Sequence, residues 1–188
     1  MPRLMIVIAS TRPGRVGLPV GRWFEGRARG HGGFELEIVD LAELALPFLD
    51  EPNHPRLHQY TKQHTRAWGA QVERADAFVF VTPEYNFAFN APLKNAIDYL
   101  HNEWLYKPVG LVSYGGVAAG TRAAQMLKLI FSALKMTPVS ETVAIPFVKQ
   151  FIGEDGELAA NDVMDAAAVA MLDELVRVAA ALQPLREG

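Results

Sequence analysis

The chain has 188 residues, half of them hydrophobic and about a fifth charged, with a net charge of −3 and no cysteine. That is enough chain to bury the core of one domain without staples. The missing thiols exclude disulfides, thiolate metal sites and cysteine nucleophiles, and the mild acidity gives no reason to expect nucleic acid. In chain order, the apolar run Leu4–Ile8 predicts a strand over Arg3–Ala9, and a helical pattern over Gly17–Arg29 dies in Gly30-His31-Gly32-Gly33. Glu35–Val39 reads as a second strand with Asp40 at its carboxyl end, followed by a loop holding Pro47, Pro52 and Pro55 and a helix over Leu57–Arg74. Ala77–Thr82 is apolar on both faces, as suits a central parallel strand covered on both sides. A helix over Ala91–Leu100, a strand over Pro108–Ser113, a helix over Gly120–Leu134 and a strand within Thr137–Ile145 follow. Phe147–Ala160 reads as a turn or short excursion. Met164, Ala167, Met171, Leu175, Val178 and Leu182 form one apolar stripe of a last helix over Asp162–Leu182, with Asn161 or Asp162 as its cap.

Five strands alternating with five helices predict a single α/β domain over residues 1–188. Its sheet is doubly wound, five-stranded and parallel, with helices on both faces. No apolar stretch approaches the ~20 residues a membrane span needs. Residues 1–30 hold six arginines and one acid, so that segment carries +5 and the remainder −8. An arginine-rich start can mimic a transit peptide. Here it forms a core strand with no cleavage site in register, and a cytoplasmic protein is expected.

In an open parallel sheet, the loops leaving the carboxyl ends of the strands make the ligand edge. Three such loops are chemically unusual. The first, Ala9-Ser10-Thr11-Arg12-Pro13-Gly14-Arg15, empties a strand into a helix start with hydroxyl donors and two guanidinium forks. Unpaired N–H groups and the dipole at that helix start favour a phosphate. The alternative is a solvated turn with two surface arginines. The loop has neither the P-loop spacing nor the Gly-x-Gly-x-x-Gly fingerprint. The second loop, Thr82-Pro83-Glu84-Tyr85-Asn86-Phe87 with Asn90-Ala91-Pro92, offers amides and aromatic faces to a flat heterocycle, or else packs as a loop anchored by Tyr85. The third, Ser113-Tyr114-Gly115-Gly116-Val117-Ala118-Ala119-Gly120, lets the backbone approach a planar ligand, or simply turns tightly. Arg122 reads equally as a phosphate or partner contact and as half of a surface salt bridge. The five histidines are scattered and read as solvated or capping groups; His54-x3-His58 would be a metal pair only on a helix, and Pro55 argues against one. Asp40 reads as a helix cap or loop brace.

Together these loops resemble the NADPH-dependent FMN reductase family, of flavodoxin-like fold. Pro83-Glu84-Tyr85-Asn86 followed by Pro92-Leu93-Lys94-Asn95-Ala96-Ile97-Asp98 is the most specific part, and Leu46-Pro47 belongs to the likeness too. The resemblance implies FMN across the carboxyl edge. Ser10, Arg12 and Arg15, with the amides of Val16 and Gly17, would hold its phosphate. Pro83, Glu84, Tyr85 and Asn86 would line the isoalloxazine and ribityl side, and Ser113, Tyr114, Gly115 and Gly116 the other rim. On this reading the Glu84 side chain points into the helix over 91–100 or into a partner subunit. NADPH or NADH would pass hydride to the flavin, and a quinone, flavin, azo compound or similar small-molecule acceptor would leave with the electrons. No catalytic side chain is required. The family also implies a homodimer or homotetramer. Trp104 and Tyr106 are candidates for its surface or for a wall of the substrate opening, against edge packing beside the fourth strand. An acidic electron carrier that takes no hydride from a pyridine nucleotide is the competing reading, and a non-flavin module on the same fold is a third. Arg15→Ala is expected to weaken FMN far more than riboflavin, which lacks the phosphate.

Overall fold

A computed structural model describes residues 1–186 of the chain. Five strands, β1 (Arg3–Ile8), β2 (Glu35–Asp40), β3 (Ala77–Pro83), β4 (Pro108–Tyr114) and β5 (Thr137–Ile145), make one parallel sheet in the order β2-β1-β3-β4-β5. This is the doubly wound order whose ligand crevice opens at the carboxyl ends of the strands. Alternation along the strands feeds two cores. Met5, Val7, Phe78 and Phe80 pack with α3 (Gln63–Arg74), α4 (Ala91–Asp98) and α5 (Thr121–Ala133). Leu4, Ile6, Val79 and Val81 pack with α1 (Gly17–His31) and α6 (Asp162–Arg186) on the other face. Strands β3 and β4 are buried along their whole length. Among the described residues no helix is long and apolar enough to cross a membrane.

The helix expected over Leu57–Arg74 starts later, at Gln63. The lost residues serve other partners. Pro55–Leu57 forms a short 3-10 turn that ends at His58 in the left-handed region, where the helix cannot continue. Tyr60 turns inward and donates its hydroxyl to buried Glu103 at 2.8 Å. Glu51 then accepts hydrogen bonds from the N–H groups of Thr61 and Lys62, both at 2.8 Å, so a remote carboxylate satisfies the approach to α3, which has no side-chain cap of its own. Desolvation alone would raise the Glu51 carboxyl, but these N–H donors win and hold it at about 2. A helix absent from the sequence reading, α2 (Leu41–Leu44), follows β2 directly. Asp40 caps it by accepting from the Ala42 N–H at 2.9 Å, as the capping reading expects.

Trp104 is neither a subunit surface nor a cleft wall. It is fully buried, edge-on to Phe78 with ring centroids 5.0 Å apart, and donates its indole N–H to the Ile97 carbonyl. Its role is core packing, and the rings it meets belong to β3 and α3. Helix α6 buries Ala168, Leu172 and Ala179 beside Met164, Met171 and Leu175, a broader face than the predicted stripe, because it covers β4 and β5 while also touching α1. Asn161 caps it through the Met164 N–H. The segment after β5 is a 3-10 turn over Val148–Phe151 and a short bridge between Ile152 and Leu158.

Candidate active site

The first loop delivers the start of α1 to the carboxyl edge with its positive end bare. The helix has no side-chain cap and no acid in its first turn, while Arg29 and His31 sit in its last turn. Beneath that start, Ser10 is fully buried and the Tyr114 ring nearly so. Their hydroxyls lie side by side, and neither finds a hydrogen-bond partner of normal geometry. Burial pushes the Tyr114 hydroxyl well above the ordinary tyrosine range, so it stays protonated and able to donate. Both hydroxyls crowd Gly17, where a Cβ atom would collide with each of them. Two buried hydroxyls with no partner beyond each other among the described residues, closed around a bare helix start, fit an anionic oxygen group such as a phosphate.

The two arginines of this loop differ. Arg15 reaches away from the rim and grips the Asp40 carboxylate with both terminal nitrogens, while also donating to the Ser10 carbonyl at 2.5 Å. Opposite charge and hydrogen bonding raise its guanidinium above the ordinary range. It thereby ties the first loop to the end of β2. Arg12 is exposed, makes no ion pair among the described residues, and lines the adjoining cleft.

That cleft has a volume of about 400 Å³. Arg12 and Val16 come from the first loop, Pro83, Glu84 and Tyr85 from the second, and Tyr114, Gly115 and Gly116 from the third. A fourth wall, Phe147–Gln150, follows β5 and is missing from the sequence reading. Its backbone is pinned to the third loop: the N–H groups of Phe147 and Val148 donate to the carbonyls of Gly116 and Gly115. The only sequence signal for it is its place at the end of a parallel strand. Among the predicted site residues, Ser10 and Gly17 lie below the cleft and Arg15 beside it. Ser113 is buried and spends its hydroxyl on the Ala119 carbonyl at 2.9 Å, bracing the turn before Gly120, whose φ of 78° and crowding against the Tyr114 backbone require glycine.

In the second loop, Tyr85 and Ala88 exchange backbone hydrogen bonds around a two-residue turn with Asn86 at φ 50° and Phe87 at φ 72°. Asparagine tolerates that backbone, whereas phenylalanine adopts it only with strain. The turn is held from outside. Glu84 aims its carboxylate at Arg122 in the first turn of α5, accepting from its backbone N–H at 3.1 Å and from its guanidinium, which lies over the Phe87 ring at 3.8 Å. The expected direction of Glu84, toward the helix over 91–100 or a partner, is thus replaced by α5. There the carboxylate gains both a backbone N–H at the start of α5 and a guanidinium. Of the two readings of Arg122, the salt bridge holds. Asn90 knits the rim from below, donating to the Ala9 carbonyl at 2.6 Å. A larger groove, about 470 Å³, opens beyond Thr11 between α2 and α4, but the Asn95 amide on its wall is spent on the Pro47 carbonyl and the Leu49 N–H.

The family model for NADPH-dependent FMN reductase matches residues 2–150. An NAD(P)H-dependent FMN reductase of Schizosaccharomyces pombe is 36% identical over 148 residues, covering 77% of this chain and 74% of its own. An FMN-dependent NADPH-azoreductase of Staphylococcus saprophyticus is 28% identical over 141 residues, 74% of each chain. Among solved structures, a flavoenzyme NAD(P)H:(acceptor) oxidoreductase from Paracoccus denitrificans superposes with a TM-score of 0.75 over 96% of this chain and 98% of that one at 20% identity, a likeness of fold. The carboxyl-edge geometry and the sequence match agree, and the chain belongs to the NADPH-dependent FMN reductase family.

Proposed function

We propose that this protein is an FMN-dependent NAD(P)H oxidoreductase that delivers reducing equivalents from NADPH or NADH to a small acceptor such as a quinone, a flavin or an azo compound. The observation that carries the reading is the pair of buried hydroxyls of Ser10 and Tyr114, with no partner beyond each other among the described residues, around the bare start of α1 and beside an aromatic-lined cleft. When bound there, FMN would supply two-electron chemistry that no side chain of this chain offers. The Ser10 and Tyr114 hydroxyls and the amides of Val16 and Gly17 would hold its phosphate, with Arg12 adding charge from the rim. Backbone from Pro83–Asn86 and Tyr114–Gly116 would hold its ring. Glu84 has its negative charge balanced by Arg122. The cysteine-free composition fits a reducing, cytoplasmic location.

The purified protein should be yellow, and anaerobic addition of NADPH or NADH should bleach its visible absorbance within seconds. A flavin-loaded protein that neither donor bleaches would instead be an electron carrier.

The reading extends to a homo-oligomer, with a dimer as its unit. Leu129 of α5 and Leu49 of the loop after α2 stand exposed on the walls of a groove of about 550 Å³, and Met126 and Leu57 are exposed too. Such a patch suits a self-complementary contact between two copies. Wild-type protein should sediment at the mass of two or four chains, and Leu129→Arg should shift it toward one. A wild type that sediments as a single chain overturns this part.

A further inference from the structure

Phe147 occupies a conformation its side chain makes costly. Its backbone lies at φ 46°, ψ 44°, the left-handed region that bulky residues avoid and that glycine or asparagine enters freely. The backbone role there is complete without a ring: the Phe147 N–H donates to Gly116 at 3.1 Å, and its carbonyl accepts from Gln150 at 2.9 Å. Packing does not account for the ring either, since it is 50% exposed and stacks on no other ring or cation among the described residues. Phe87, the other strained aromatic at this edge, has such an account in the Arg122 guanidinium over its face. Phe147 lines the cleft. Tyr85, 39% exposed, lines it too. Because β4 runs between β3 and β5, Tyr85 and Phe147 enter the cleft from the strand ends on either side of the one that carries Gly115 and Gly116. Strain maintained at a ligand edge points from geometry to function.

Given that this site passes electrons to small molecules, as proposed above, we propose that Phe147 is a specificity residue: a stacking platform that favours planar aromatic acceptors over compact ones. Its ring adds contact area for a flat π-system at little entropic cost, and it offers nothing to an octahedral metal complex. The test compares two acceptors reoxidising enzyme first reduced anaerobically by NADPH. A para-quinone takes two electrons and two protons to become the hydroquinone, while two ferricyanide ions take one electron each. The readout is the ratio of the quinone rate constant to the ferricyanide rate constant. In Phe147→Gly, whose residue fits the left-handed backbone, this ratio should fall tenfold or more, and in Phe147→Tyr it should return to within threefold of wild type. Phe147→Asn, which also tolerates that backbone, should repeat the glycine result should the glycine variant fail to fold. A ratio that falls less than tenfold in the non-aromatic variant, or that tyrosine does not restore, overturns the platform. Wild-type protein that never takes up flavin, or is never bleached by either donor, overturns the oxidoreductase reading and the platform with it. A working wild type with an unmoved ratio overturns the platform alone.

Discussion

Asp40→Ala should destabilise the fold by about 3 kcal/mol, the scale for removing one partner of a mostly buried ion pair. For a chain of this size that corresponds to a fall in Tm of roughly 10 °C. The carboxylate is 9% exposed and satisfies three donors at once: both terminal nitrogens of Arg15 and the Ala42 N–H. Alanine strips the cap from α2 and leaves the Arg15 guanidinium, itself largely buried, with only the Ser10 carbonyl. The pH dependence follows from the same geometry. Burial by itself would raise the Asp40 carboxyl, but the hydrogen bonds from Arg15 and Ala42 outweigh it and hold it below the usual carboxylate range. A carboxyl lowered in the folded state binds fewer protons there than in the unfolded chain. The pair therefore contributes its full stability above the ordinary aspartate value of about 4, and loses it as the pH falls through the lower, folded value. Urea titrations at pH 7 and pH 3 should show a larger gap between wild type and Asp40→Ala at pH 7. A difference under about 1 kcal/mol at pH 7 would mean that the pair merely breaks even with solvent.

Arg12→Ala should weaken FMN by roughly 10- to 100-fold, equivalent to about 1.5–3 kcal/mol for a hydrogen bond to a charged group, while riboflavin changes less than about twofold. Arg12 is exposed, makes no ion pair among the described residues and lines the cleft, so its loss should leave the melting temperature alone. Arg15→Ala should behave differently from the expectation drawn from its sequence position. Because Arg15 straps the Ser10 carbonyl to the end of β2, its loss should loosen the loop, lower the melting temperature and weaken both ligands. Fluorescence titration with the two flavins separates the roles. Phosphate-selective loss in Arg15→Ala with none in Arg12→Ala would return the ligand role to Arg15.

The helix start at Gly17, the strand at Ala77, and the turns of Pro83–Asn86 and Gly115–Gly116 were all readable from local pattern. They depend on apolar period, proline and glycine positions, and hydroxyls at a strand end, all of them properties of neighbouring residues. The late start of α3 was not readable, because it depends on Glu51 and Glu103, which are remote from it in the chain. Nor was the choice between Arg12 and Arg15. The two share a residue type and a loop, and only the register that sets Ile8 against Asp40 brings a carboxylate to one of them. Phe147 looks like an ordinary hydrophobe until its backbone angle and exposure are known.

The sequence by itself determined the fold class, the family and the edge of the sheet that holds the candidate site, because those follow from periodicity and from motifs a few residues long. Only the tertiary structure decided which charged group faces the cleft and which is spent on holding it, and which strand end supplies the fourth wall. Those outcomes are set by pairings between segments distant in the chain, where one carboxylate or one carbonyl can satisfy only the donors that folding brings within about 3 Å.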